Sequence, residues 1–228
     1  MAKINKQILG KVRGSLGDIT FRQRNGKTFL STRPGSFTPG ADEKSVARRG
    51  KFSLSIKLAS SINSVPELRS IWDKIKTTGT LTFNHIMRTN YKIIGSENDL
   101  SGLVKITPSL GFNVANPVVT YSPSEVKVNL DAPGTATGID ALQETSLKLV
   151  AVIYLNNPSD VTLSKDAFLT LSSQAIATDL AAAIEFTSIL TDEKSQMLTA
   201  YQNHKGFFAV VTLDAAGNVV HYSNTFIG

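Results

Sequence analysis

From about Val104 to its end the chain is written in period two, and that pattern restricts this stretch to antiparallel sheet. Val118 to Tyr121, Glu125 to Leu130, Thr145 to Leu155, Val161 to Leu171, Gly206 to Leu213 and Val219 to Phe226 are rich in β-branched and aromatic residues, with turn residues between them. Val126, Val128 and Leu130 alternate with Lys127, Asn129 and Asp131, the mark of a strand with one wet face. Leu147 to Leu155 is apolar almost throughout and reads as a central strand. Asp214-Ala215-Ala216-Gly217-Asn218 closes a terminal hairpin. Gln174 to Leu190, with Ala175, Ile176, Leu180, Ala183, Ile184 and Ile189, reads as a helical insertion between strands. Strands at this spacing over roughly 100 residues fit an immunoglobulin-like β-sandwich.

The first hundred residues follow different rules. Ile19 to Arg24 and Lys27 to Arg33 flank Asn25-Gly26, a pair that accepts the two positive φ angles of a type I′ turn. A two-residue loop fixes the register, so that Arg24 faces Lys27, Arg22 faces Phe29, Phe21 faces Leu30 and Ile19 faces Thr32. One face then carries Ile19, Phe21 and Leu30, and the other gathers Arg22, Arg24 and Lys27 around Phe29. Before the hairpin, Gly10, Gly14 and Gly17 punctuate an extended arm, and after it Pro34 to Gly40 has the composition of a linker.

Helical period begins near Asp42. Phe52, Ile56 and Ala59 form one stripe, widened by Leu54 and Leu58. After Pro66 a second helix places Leu68, Ile71, Trp72 and Ile75 on one side, and a third, with Thr80 as its N-cap, aligns Phe83, Ile86, Met87 and Tyr91. The whole reads as an α+β chain, mainly β: an arm and hairpin over residues 1–40, a small helical module over 41–100 and the sandwich over 101–228.

Charge is distributed unevenly. Residues 1–60 hold 13 Lys and Arg against 3 Asp and Glu, whereas residues 61–228 hold 11 against 15. A basic segment with few apolar residues of its own finds its partner outside its own domain. Arg22, Arg24, Lys27, Arg33, Lys44, Arg48, Arg49 and Lys51 serve three readings: contact with phosphate, with Phe29 or Phe37 stacking on bases; contact with an acidic neighbouring subunit; or solvation alone.

Catalytic motifs are missing. Asn25-Gly26-Lys27-Thr28 resembles the tail of a phosphate-binding loop, but Phe21 stands where that loop needs glycine, and the early glycines have the wrong spacing for a dinucleotide fingerprint. His85, His204 and His221 lie far apart without metal-ligand spacing and read as structural or surface residues. There is no Gly-x-Ser-x-Gly elbow. With no cysteine there are no disulfides or thiolate zinc sites, and the lone Asn157-Pro158-Ser159 is barred from glycosylation by its proline. Neither a signal-peptide core nor a membrane-length apolar run occurs. The expectation is a non-enzymatic protein without cofactor or metal, made in the cytoplasm.

Gly14-Ser15-Leu16-Gly17, the hairpin, Arg33-Pro34 and the helix bearing Arg49-Gly50-Lys51-Phe52 together resemble a family of uncharacterised Bacteroidota and Bacteroidota-phage proteins, in which an immunoglobulin-like domain follows. The likeness runs from Gly10 to about Tyr91 and departs at Glu43-Lys44-Ser45-Val46, where a Gln-rich approach belongs. It implies a structural subunit of a phage virion or an extracellular filament or tube. In that reading the arm adds as a strand to a neighbouring copy or another virion protein, with Ile8, Leu9, Val12, Leu16, Ile19, Phe21 and Leu30 filling its groove and the arginines setting register. A surface module recognising glycan or protein, and a nucleic-acid packaging protein, are the alternatives.

Overall fold

The computed structural model describes residues 2–4, 14–24, 26–33, 35–36, 38–95, 100 and 104–228. Of the arm residues named above, Ile8, Leu9 and Val12 lie outside these, as do Asn25 and Phe37. The chain divides into two compact units, Met1–Val46 and Ala47–Gly228.

The first unit is a four-stranded sheet in the order β1-β4-β3-β2, formed by β1 (Ala2–Ile4), β2 (Gly14–Leu16), β3 (Ile19–Arg24) and β4 (Lys27–Thr32). The β3–β4 register agrees with the sequence at every pair, from Arg24 against Lys27 to Ile19 against Thr32. Gly26, at φ +72°, supplies the left-handed turn residue. The hairpin is not alone, however. Gly14–Leu16, expected to reach a neighbour, pairs with β3 of its own chain through a second tight turn at Gly17-Asp18, and β1 pairs with β4.

The second unit has three layers. Helices α1 (Glu43–Ser64, which begins in the first unit), α2 (Pro66–Ile75) and α3 (Thr82–Tyr91) form one layer. A sheet in the order β12-β11-β7-β8 forms the middle, built from β7 (Ser146–Pro158), β8 (Asp166–Ser172), β11 (Tyr201–Leu213) and β12 (Val219–Tyr222). Short β9 (Ile176–Ala177) extends β7, and β13 (Phe226–Ile227) extends β11. The third layer is a sheet in the order β10-β6-β5, made of β5 (Val118–Tyr121), β6 (Glu125–Leu130) and β10 (Ile184–Ile189). Two strands in one sheet, two in the other, a return and two more give the immunoglobulin-like sandwich expected from the sequence, within a mixed α+β, mainly β chain.

The middle sheet explains why β7 and β11 are nearly continuous in apolar residues. Leu149, Ala151, Ile153, Phe208 and Val210 point toward the three-stranded sheet and meet Val126, Val128, Ile184 and Phe186. Their alternating neighbours Val150, Val152, Phe207, Ala209 and Val211 point the other way, against Leu58, Ile62, Leu68, Ile71, Trp72 and Ile86 of the helices. A strand buried on both faces loses its polar alternation. Helices and sheets thus share cores, and the boundary expected near residue 100 falls inside this unit. Asn90, fully buried, clamps the following segment to α3: its side-chain amide donates to the Ile86 and Lys105 carbonyls and its oxygen accepts from the Lys105 amide at 2.9 Å.

Five local expectations are corrected. Gln174–Leu190 is not a helix: it holds β9 and β10, and Ile184, Phe186 and Ser188 alternate inward in period two, with helix α4 (Asp192–Thr199) only afterwards. On α1 the buried stripe is Leu54, Leu58, Ala59 and Ile62, while Phe52 and Ile56 are 50% and 37% exposed, so the inward face is turned by about one residue from the one expected. Ile75, at the end of the α2 stripe, is exposed, and α3 starts at Thr82, with Leu81 rather than Thr80 at its N-cap. Residues 161–165 precede β8 as a turn, with Val161 in solvent.

Candidate assembly interface

The N-terminal sheet collects the predicted interface residues that can be placed. Leu16 lies opposite Ile19 and Phe21 opposite Leu30, so the alternation of side chains puts all four on one face. Leu16 is 73% exposed and Ile19 38%, and Phe21 and Leu30 are half-buried. Thr28, on the same face, is buried, yet no apolar side chain described between residues 14 and 42 is. Arg22 and Lys27 stand exposed on the opposite face, to which the backbone register also assigns Arg24. The Arg33 amide donates to the Asp18 carbonyl at 2.5 Å and closes one end of the sheet, leaving the Arg33 side chain exposed. Among the described residues, the outer strands β1 and β2 are three residues each against six for β3 and β4.

The remaining predicted cations, Lys44, Arg48, Arg49 and Lys51, belong to α1. Arg48 and Arg49 are exposed, and the Lys51 ammonium sits 5.0 Å from the centre of the Tyr91 ring. Here the structure adds what sequence spacing concealed. Arg88 and Lys92, from the last turn of α3 and just beyond, join Phe52, Tyr91, Met87 and His85 around an open groove of about 760 Å³. No acid occurs on α3.

A second constellation lies on the sandwich. Glu144 and His221 are 77 residues apart, too far for any local motif to expose, yet Glu144 Oε1 lies 2.9 Å from His221 Nδ1 and also accepts the Asp140 amide. The Glu144 side chain is 1% exposed, while the imidazole borders a cleft of about 600 Å³ beside Leu110, Phe112, Thr137 and Tyr222. Burial pushes the Glu144 carboxyl upward, but the Thr212 hydroxyl, the Asp140 amide and His221 together outweigh it and hold the group below its ordinary value. The folded chain therefore takes up this proton less readily than the unfolded one, and the associated stability is complete above about pH 5 and lost as pH falls through the lowered value. Asp73, Asp160 and Asp214 are also lowered and share in the acid loss. Urea unfolding at pH 7 and pH 4 is expected to show a smaller acid loss in Glu144→Gln than in the parent; equal losses would remove Glu144 from this role. The Tyr121 hydroxyl, half-buried and donating to the Gly228 carbonyl at 2.8 Å, is pushed well above the usual phenol range by desolvation. Among the described residues no group of three or more His, Asp or Glu is placed to hold a metal, and no helix is long and apolar enough to cross a membrane.

The two surfaces thus sit on a mixed α+β chain of the immunoglobulin-like sandwich class. No protein-family model matches the chain, and no curated protein matches it. Among solved structures it is similar to DesR, a β-glucosidase from Streptomyces venezuelae in complex with D-glucose, at 14% identity over 54% of this chain and 16% of that one, with a TM-score of 0.24. It is also similar to β-glucosidase 3B from Thermotoga neapolitana in complex with glucose, at 12% identity over 53% of this chain and 16% of that one, TM-score 0.19. The same enzyme in complex with α-D-glucose gives 13% identity over 51% and 15%, TM-score 0.18. The chain spans only a small fraction of those enzymes' length, and a likeness at these scores carries no argument about chemistry.

Proposed function

We propose that the chain is a non-enzymatic structural subunit of an ordered assembly, of the virion or filament kind that its N-terminal motifs imply, and that copies join through the N-terminal sheet. The observation that carries this reading is the apolar face that the described residues of the sheet leave uncovered. Leu16, Ile19, Phe21 and Leu30 share one face, and none of them is fully buried. A sheet with an apolar face needs a second layer to cover it, so a neighbour supplies it. The edges of a small sheet are places for strand addition, in which backbone pairing gives affinity and the apolar face gives selection. Because Gly14–Leu16 is already paired within its chain, β2 is not the strand that a neighbour receives.

Charge supports contact between identical chains. Residues 43–95 hold ten Lys and Arg against three acids, whereas residues 96–228 hold six against thirteen. Opposite signs on different surfaces of one molecule favour a head-to-tail contact, which closes into a ring or propagates as a filament. The test is the assembly state of Leu16→Lys/Ile19→Lys beside the parent. These two exposed positions can be changed without touching the sandwich core, and loss of association with intact folding is the expected outcome.

A further inference from the structure

Beyond assembly, we propose that the groove between α1 and α3 binds single-stranded nucleic acid. Its floor and its rim have different chemistries. Phe52, half exposed, faces the groove together with Met87, His85 and Tyr91, and Arg88 and Lys92 stand exposed along its α3 side. Helical geometry puts Arg48 one turn before Phe52 on the same side of α1, and Lys51 already lies over one face of Tyr91. Of the three acids in residues 43–95, Glu67 is tied to Lys148 at 2.5 Å and Asp73 to Lys76 at 2.6 Å, so two of the three are neutralised by partners outside the groove. What remains is aromatic surface framed by cations, with no acid lining it among the described residues.

That combination selects the occupant. Phosphates pair with fixed cations, while unstacked bases cover exposed rings irrespective of sequence. A duplex keeps its bases stacked inside and has nothing to offer Phe52. An acidic peptide satisfies Arg88 and Lys92 but brings no flat π surface to the ring. With α3 ten residues long, or about 15 Å, the groove spans about two or three nucleotides. The Thr77 hydroxyl lines the same groove and suits phosphate or sugar oxygens.

Fluorescence anisotropy with a short labelled oligodeoxythymidine, run across a salt series on the full chain, tests this. The expected result is binding whose logarithm falls against log salt with a slope of about −2 to −3, at about 0.7 per neutralised phosphate on a single strand. Phe52→Ala weakens binding about 5- to 100-fold and leaves the slope in place, because a stacked base is lost but no cation is. Arg88→Gln/Lys92→Gln lowers the slope by about 1.4. Leu16→Lys/Ile19→Lys leaves binding intact, which separates this site from the assembly surface. Absence of binding at low salt overturns the proposal. So does binding that ignores the groove variants and is lost in Arg22→Gln/Lys27→Gln, or equal binding of poly-glutamate with the same sensitivity to Phe52. Phe52 is exposed, and a circular dichroism spectrum equal to the parent's confirms that a weakened variant is folded.

Discussion

Trp72→Ala lowers the stability of the second unit by about 3–5 kcal/mol, the usual cost of emptying a large aromatic from a core. Trp72 is 1% exposed and lies among Leu68, Ile71 and Ile86, where α2 and α3 meet the middle sheet. Two further contacts are lost with it. Its indole nitrogen donates to the Ile106 carbonyl at 2.8 Å, and the His85 ring meets it edge-on at 5.6 Å. The alanine variant leaves a buried carbonyl without its donor as well as a cavity, and both costs point the same way. Ile106 is also held at its amide by the Thr225 hydroxyl at 2.9 Å, so the variant removes one of two anchors on this residue. Urea unfolding followed by circular dichroism measures the change. A loss below about 1 kcal/mol would mean that the helical layer does not share its core with the sheet.

Gly111→Ala costs about 1–3 kcal/mol for a different reason, overpacking against backbone. A methyl group at that position would sit 2.5 Å from the Ser223 carbonyl carbon and the Tyr222 oxygen, and 2.7 Å from the Asn224 nitrogen. None of these atoms has room to retreat. The Phe112 amide donates to the Tyr222 carbonyl at 3.1 Å, the Asn224 amide to the Phe112 carbonyl at 2.7 Å, and the Ser223 amide to the Val210 carbonyl at 2.8 Å. Ser223 itself is fully buried, and its hydroxyl accepts the Val210 amide at 2.9 Å. The segment at Phe112 is thereby stitched to the last strands, where glycine alone allows the approach. Gly35→Ala, with nothing within 4 Å, is the control and is expected to be near neutral in the same unfolding measurement.

Short-range information in the sequence was read correctly where one local rule governed. The Asn-Gly turn set every pair of the β3–β4 ladder, and β5 and β6 begin and end where alternation and turn residues place them. The errors arose where two rules competed. Around Ala181–Ala183 the alanines suggested helix, while Ile184, Phe186 and Ser188 already carried the period-two signal that prevailed, since β10 buries those three against β6 and the middle sheet. On α1 five apolar residues between 52 and 59 allowed two stripes, and only the tertiary contact with the sheet decides between them. The two-sided burial of β7 was present in its unbroken apolar run, but the layer that covers it comes from residues about eighty positions earlier.

The candidate sites were less legible for the same reason. Arg48 to Phe52 stood out in sequence, but Arg88, Tyr91 and Lys92 become their neighbours only when α3 packs beside α1. Glu144, just before β7, and His221, on β12, meet within one sheet with no spacing to announce them. On the N-terminal sheet, by contrast, register alone predicted which apolar residues would share a face, because hairpin geometry is local.

Sedimentation velocity of the full chain over a rising concentration series, beside Leu16→Lys/Ile19→Lys, bears most directly on assembly through the N-terminal sheet. The parent should move into larger, concentration-dependent species while the variant stays at the monomer's coefficient with an unchanged circular dichroism spectrum. A parent that remains monomeric throughout, or a variant that associates as the parent does, would contradict assembly through the N-terminal sheet.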